Sequence, residues 1–518
     1  MSGKLVTFTH YEYNVQLEYC FSFDFERGDL YMTTLKEKAV YGVKWIGTSN
    51  LIITALKYVK LIVLARLLVP DDFGLMAMLL VIIGLGQAFS DMGISYAIIW
   101  KQDANRDQLS SVYWFNIFTG VVVSCIVLAA APLIAYFFNE PRLNNLILWI
   151  SPVFLITSIG IPFQMILQKD LLFSRIAKIE IIAASVGTIV AVVTAFLKAG
   201  VYALIWGQIA ETIIFAILFL VIGSHNWHPH LHFRVKDLKG FLRFGLFQMG
   251  ERLLNFYYTN VDYIIIGKFL GGDILGIYML AYQLVIEPFA RINPILTRVA
   301  FPVFAKRQKD NDALRRGYYE LSRMIVFLTF PILALLAVTA PLFIPAILGP
   351  KWGPAILLTQ ILVILGALRA LINPLGSILY AKGRTDLGFY WNLITATLNT
   401  LIFWILVRFG VYAIAWAENC LTFLYLFIAL FILHQIISLR YREYLQALIR
   451  PFLANIVIGG IVYVVYILTR GAVGSSIALF VILLILGISL YGSYIVLFER
   501  KLFKEYWDML LMRNAELA

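Results

Sequence analysis

Apolar runs of about 20 residues, the length a helix needs to cross the hydrocarbon core of a bilayer, follow one another from Val40 almost to the C-terminus. Only short polar breaks separate them. Hydropathy and breakers predict about fourteen helices, among them 40–64, 73–98, 111–138, 143–167, 200–223, 241–267, 275–303 and 411–434. The expected fold class is therefore an all-α integral membrane protein. Residues 1–31 carry no such run and no basic segment leading into one, so they do not read as a secretory signal. They are expected to be a disordered or non-native extension, with Met32 as a second candidate start.

The pattern repeats at a spacing of roughly 200 residues, which points to an internal duplication. "KAGVYALIWGQ" from Lys198 matches "RFGVYAIAWAE" from Arg408, and "LARLLVPDDFGLMAM" from Leu64 matches "IGKFLGGDILGIYML" from Ile266 more loosely. Six helices per repeat is an even number, so the two copies should share one orientation, related by an axis along the membrane normal. The predicted organisation is a six-helix lobe at 32–225, a linker at 226–240, a second six-helix lobe at 241–436, two additional helices within 437–498 and a tail at 499–518. Paired lobes of this kind hold a substrate path at their interface.

Composition agrees with the pattern: 61% of the residues are hydrophobic, 14% are charged and the mean hydropathy is +0.84. The net charge of +12 would raise nucleic acid as a partner in a soluble protein. Here the basic residues gather in alternate connections, for example Lys169, Arg175 and Lys178, then Arg234, Lys236 and Lys239. The intervening connections carry about one each, such as Arg66, Arg142 and Lys268. By the positive-inside rule the rich set is cytoplasmic, together with both termini. The location expected is a cytoplasmic (inner) membrane, with no nucleic-acid partner. Three dispersed cysteines suggest neither a disulfide framework nor a metal cluster.

Ionisable groups inside a bilayer are costly and mark cavities or partners. Gln248, Glu251, Asn255, Tyr258 and Asp262 fall on one face of a predicted helix, and Gln283, Glu287 and Arg291 on one face of the next. Lys44, Lys57, Lys60 and Asp91 occupy the equivalent early helices of the first repeat, and Arg252 and Arg369 add further cations. The substrate-cavity candidates are Lys44, Glu251, Arg252, Asn255, Glu287, Arg291 and Arg369, forming a hydrated, cationic chamber suited to an anionic headgroup. Lys60 reads as a residue near a helix end whose ammonium reaches the interface. Asp262 and Glu287 are candidates for coupling to a proton or a sodium ion, although a structural counter-ion role explains them equally well. The histidine-rich stretch "SHNWHPHLHF" has neither a cysteine nor a carboxylate beside it in sequence, so it reads as an interfacial loop and not as a metal site. No cofactor is expected. No G-x-x-x-x-G-K-[ST] loop occurs, and no connection is long enough to display a set of catalytic groups.

The stretch from Leu64 to Gln102, together with "NVDYIIIGKFLGGDILGIYMLAYQL" from Asn260, resembles the polysaccharide transporter family within the multidrug, oligosaccharidyl-lipid and polysaccharide exporter superfamily. Its nearest subgroup contains the colanic and teichuronic acid exporters. That resemblance implies a V-shaped bundle of two six-helix lobes and alternating access. The implied cargo is an oligosaccharide on undecaprenyl pyrophosphate, flipped for exopolysaccharide, capsule or lipopolysaccharide synthesis. Its implied partners are membrane lipids, H+ or Na+, and polysaccharide polymerase machinery. Lys44, Arg252 and Arg291 match, by location, the basic residues such cavities carry. A multidrug or cation antiporter of the same superfamily is the alternative within transport. A membrane glycosyltransferase, polymerase or ligase acting on lipid-linked sugars is the alternative from enzymology.

Overall fold

The structure, a computed structural model, describes residues 35–93, 97–99, 101, 103–472 and 474–500. The extension at 1–31, the tail beyond residue 500 and the side chains of Lys44 and Arg291 lie outside the described residues. Among the described residues the regular structure is helical, with no strand. Twelve segments are long and apolar enough to cross a membrane. The first helix, α1 (Leu35–Leu67), is not among the twelve.

The first half of the chain continues with α2 (Pro70–Asp91), α3 (Arg106–Ala129), α4 (Ala131–Phe138), α5 (Arg142–Ile150), α6 (Pro152–Lys169), α7 (Phe173–Phe196) and α8 (Val201–Ser224). Two predicted runs are cut. The run 73–98 stops at Asp91, where Met92 (φ 45°) and Gly93 (φ 64°) enter the left-handed region that ends helices. The run 111–138 divides between α3 and α4, at a proline that cannot supply the amide hydrogen a continuous helix needs.

After the linker comes α9 (Phe241–Lys306), two arms joined at Gly271, whose φ of 83° and ψ of −179° are not helical. It is followed by α10 (Asn311–Phe343), α11 (Ala355–Ile372), α12 (Leu375–Ala381), α13 (Thr385–Leu406), α14 (Val411–Ile437), α15 (Tyr441–Thr469) and α16 (Ser476–Phe498). The last two pack on α10 and on each other. Many of their apolar side chains stay exposed, as a lipid-facing surface requires.

The repeated "GVYA" motif has a local cause. Gly200 (φ 58°) and Gly410 (φ 90°) each stand immediately before a helix, in backbone conformations that side chains rarely adopt, and start α8 and α14.

Glycines also set the seam between the halves. The most extensive interhelix packing joins α2 to α9. A Cβ at Gly74 would fall on the Gly272 backbone, and one at Gly276 on the Pro70 carbonyl, so only glycine permits this approach. Farther along, Gly84 faces the Phe256 ring and Gly93 faces the Gly245 backbone. The seam therefore follows α2 along its length.

Side chains knit the halves at the end poor in basic residues. Trp352, fully buried, donates Nε1–H to the Ala65 carbonyl at 2.8 Å and meets Phe73 edge-on at 5.1 Å. Arg66 donates to the Ile347 carbonyl at 2.6 Å and to that of Ala346, while Lys351 donates to the Arg66 carbonyl at 3.0 Å. Within the first half, Arg142 bridges Asp71 (2.5 Å) and Glu140 (2.7 Å).

Candidate functional site

Between the halves lies a cavity of about 310 Å³. Lys57 and Lys60 enter it from α1, Gln208 and Glu211 from α8, and Gln283 and Glu287 from the second arm of α9. Apolar residues such as Leu64, Phe73 and Met279 complete its wall. Lys57 Nζ stands 3.4 Å from Glu287 Oε1, an ion pair that crosses from the first half to the second. Lys60 is thus a wall residue, which corrects its reading as an interfacial side chain. α1 continues to Leu67, so the Lys60 Cα sits about 10 Å short of the helix end at 1.5 Å per residue.

A second polar cluster is buried inside the second half. Arg369 Nη2 on α11 donates to Glu418 Oε1 on α14 at 2.5 Å, and its Nη1 to the Tyr282 hydroxyl. The Tyr278 hydroxyl lies 2.8 Å from Glu418 Oε2 and 2.9 Å from Asp262 Oδ2. Asp262 and Glu418 are 3% exposed, and Asp262 Oδ1 is buried with no hydrogen-bond partner. A phenol has one hydrogen and can donate to one carboxylate at a time. Two ionised carboxylates would leave oxygen lone pairs facing each other across the second contact. Two groups at these distances are satisfied when one carboxyl carries a proton and donates it to the phenol oxygen. Glu418 forms the ion pair with Arg369, and Asp262 is tied to the cluster through the Tyr278 hydroxyl.

The predicted site residues divide accordingly. Glu287 joins the interhalf cavity. Asp262 and Arg369 come together in the buried cluster, where Arg369 is committed to Glu418 and not presented to the cavity. Arg252 Nη1 reaches Asp91 Oδ2 at 3.2 Å, a second ion pair across the α2–α9 seam. Glu251 and Asn255 are exposed on the first arm of α9, and neither is in the cavity wall. Glu418 and Tyr278 were not among the sequence candidates. A signal for Glu418 was present: it closes the second copy of the repeated motif at the position Gln208 holds in the first.

Comparison with known proteins places this architecture. Residues 63–357 match the polysaccharide biosynthesis protein family. The chain is 35% identical to the teichuronic acid biosynthesis protein TuaB of Bacillus subtilis (strain 168), covering 85% of this chain and 91% of the relative. The chain belongs to this polysaccharide biosynthesis family. As in that family, it is similar to the lipopolysaccharide biosynthesis protein WzxC of Escherichia coli (strain K12), 35% identical over 70% of this chain and 73% of the relative. Among solved structures it shares a fold with the lipid II flippase MurJ in an inward closed conformation, with TM-score 0.71 and 14% identity, over 90% of this chain and 100% of that one. This family member is a multi-pass membrane protein.

Proposed function

We propose that this chain is a flippase, not an enzyme, that moves undecaprenyl-pyrophosphate-linked oligosaccharide repeat units across the bacterial cytoplasmic membrane by alternating access. The observation that carries this is the cavity between the halves, which pairs two lysines with amide and carboxylate groups at the family's repeat interface. Moving a sugar headgroup through hydrocarbon would strip many hydroxyls of partners, at about 2–7 kcal/mol for each uncompensated group in apolar surroundings. A polar cavity removes most of that barrier, while the lipid tail stays in the bilayer.

The described lining holds Lys57 and Lys60 with Glu211 and Glu287, so its charges balance in number, and Lys57 pairs with Glu287. A diphosphate competes for Lys57 and displaces Glu287, and the interhalf ion pair opens as the headgroup binds. Substrate binding is in this way coupled to separation of the halves. The buried Asp262–Tyr278–Glu418–Arg369 cluster supplies the ion step: loss of the Asp262 proton leaves two carboxylates on one phenol and repacks α9 against α14. We assign the coupled ion as a proton on that ground. The end rich in basic connections faces the cytoplasm, together with both termini, and the units 32–225 and 241–436 are the rocking bodies. Flipped units pass to the polymerisation machinery on the far side.

A cation antiporter is less well supported, because its cavity would present carboxylates unopposed by lysines. A glycosyltransferase or polymerase would need catalytic groups on a substantial connection, and the described connections are short. The test is a proteoliposome assay with a fluorescent undecaprenyl-pyrophosphate oligosaccharide. Protein-dependent translocation without new glycosidic bonds supports the flippase; bond formation, or no translocation with several sugars, overturns it.

A further inference from the structure

We propose that Asp107, His230 and His232 form a binding site for a divalent transition-metal ion, zinc by preference, at the junction between the interhalf linker and α3. The sequence argument against a metal rested on the absence of carboxylates beside the histidines. Folding removes that objection, because Asp107 at the start of α3 is brought to the linker from 123 positions away. One donor atom from each of Asp107, His230 and His232 lies within 4.8 Å of the others.

The surrounding hydrogen bonds prepare these donors. His230 Nε2 faces Asp107 Oδ1 at 2.9 Å, and its Nδ1 faces Ser110 Oγ at 2.9 Å. With Ser110 accepting from Nδ1–H, the lone pair falls on Nε2, and a metal ion takes the place of the proton shared with Asp107. His232 Nε2 meets Asp237 Oδ2 at 2.9 Å, and the same oxygen accepts from Ser111 Oγ at 2.9 Å. A carboxylate behind an imidazole is the arrangement that fixes the tautomer and orientation of metal-ligating histidines. Asp237 is the positioning residue in this site.

The backbone is held as firmly as the side chains. Trp114 Nε1 donates to the His230 carbonyl at 2.9 Å, and the Arg234 amide donates to Ser111 Oγ at 3.1 Å. The linker between the halves is therefore stitched to the first three turns of α3. Two imidazoles and one carboxylate select zinc over magnesium or calcium, which prefer all-oxygen ligands. Zinc bonds of about 2.0–2.2 Å require the donors to close up from their present spread. His230 and Asp107 have the freedom to do so, since their side chains are 46% and 58% exposed. The remaining coordination position is open to water. A bound ion pins the linker to the first half of the chain.

The test is calorimetric titration of zinc sulfate into the full-length, detergent-solubilised chain with any affinity tag removed, alongside cobalt(II) titration read by visible absorption. The expected result is one equivalent of zinc per chain and the strong visible bands of tetrahedral cobalt with nitrogen and oxygen ligands. Affinity should fall at least about tenfold in His230→Ala and His232→Ala, and by about 10–100-fold in Asp237→Asn, the range for a lost outer-sphere partner. The double variant His225→Ala/His228→Ala removes neighbouring linker histidines outside the cluster and should bind zinc as the wild type does. Size-exclusion profiles identify any variant that fails to fold, and Asp107→Asn, which preserves shape, gives an independent reading. Absence of zinc binding to the wild type overturns the site, as does equal weakening by the His225/His228 double variant.

Discussion

Lys57 on α1 and Glu287 on the second arm of α9 meet at 3.4 Å across the boundary between the halves. With side chains 49% and 28% exposed to the cavity, the pair contributes little to folding, within the range of about 0–1 kcal/mol for solvated ion pairs. Its position matters more, since one partner belongs to each half and both line the cavity. Lys57→Ala is expected to lower the initial rate of lipid-linked oligosaccharide flipping at least about tenfold, the loss of roughly 1.4 kcal/mol of headgroup interaction. Its melting temperature should stay near that of the wild type. Lys57→Arg should restore most of the rate. A wild-type rate in Lys57→Ala proteoliposomes would remove Lys57 from the substrate path.

The buried cluster makes an asymmetric forecast. Asp262→Asn keeps a neutral side chain able to donate to the Tyr278 oxygen, so it should fold with little change in stability. Glu418→Gln strips Arg369 of its carboxylate at 2.5 Å, and unpairing a buried charge costs about 3–5 kcal/mol. Thermal unfolding in detergent should therefore rank Glu418→Gln well below Asp262→Asn. In liposomes with an imposed pH gradient, Asp262→Asn should flip substrate at a rate indifferent to the gradient. The reverse stability order would put the proton on Glu418.

How these groups were and were not readable in the chain follows from the distances over which sequence patterns act. Hydropathy finds helices because each run is continuous, and the glycines at 200 and 410 announce helix starts because local backbone geometry demands them. Asp262 and Arg369 were visible as charges within apolar runs. Their union with Glu418 and Tyr278 was not, because it depends on how α9, α11 and α14 pack, and helical periodicity carries no information about a neighbour. The repeat did hold a clue, in the Gln208–Glu418 correspondence. Lys60 was misread because the end of α1 was set three residues too early. Asp107 escaped notice for the same reason as Glu418: its partners, His230 and His232, come from a remote segment.

Acid should loosen the basic-poor end of the bundle. Hydrogen bonding from Arg142 holds the Glu140 carboxyl below the usual range, by more than its partial burial raises it. A carboxyl depressed on folding contributes stability that is present above its unfolded pKa, about 4.3, and lost as pH falls through the depressed value. Because Arg142 is 54% exposed, solvent screening keeps that contribution small, on the order of 0–1 kcal/mol. The stability difference between wild type and Glu140→Gln should be present at pH 6, begin to shrink only below the unfolded pKa of about 4.3, and be lost once pH has fallen below the depressed pKa of the folded state. A difference that grows on acidification would contradict the assignment.

The glycines of the α2–α9 seam allow the sharpest mutational contrast. An added methyl at Gly276 would lie on the Pro70 carbonyl and at Gly74 on the Gly272 backbone. These neighbours are main-chain atoms and cannot rotate aside. Relief requires the helices to separate, and overpacking of this kind costs about 1–3 kcal/mol. Gly460, inside α15, has nothing within 4 Å of its Cβ position, and alanine there should stabilise the chain by about 0.8–1 kcal/mol through helix propensity alone. Melting temperatures should therefore move in opposite directions, downward for Gly276→Ala and Gly74→Ala and upward for Gly460→Ala. A cysteine placed at Ile277 in a cysteine-free background should also become more reactive to a membrane-impermeant maleimide when Gly276 is alanine, because the parted seam admits water beside the second arm of α9. If both seam variants keep wild-type stability and leave Ile277→Cys unreactive, close glycine packing is not what holds the two halves together at that end.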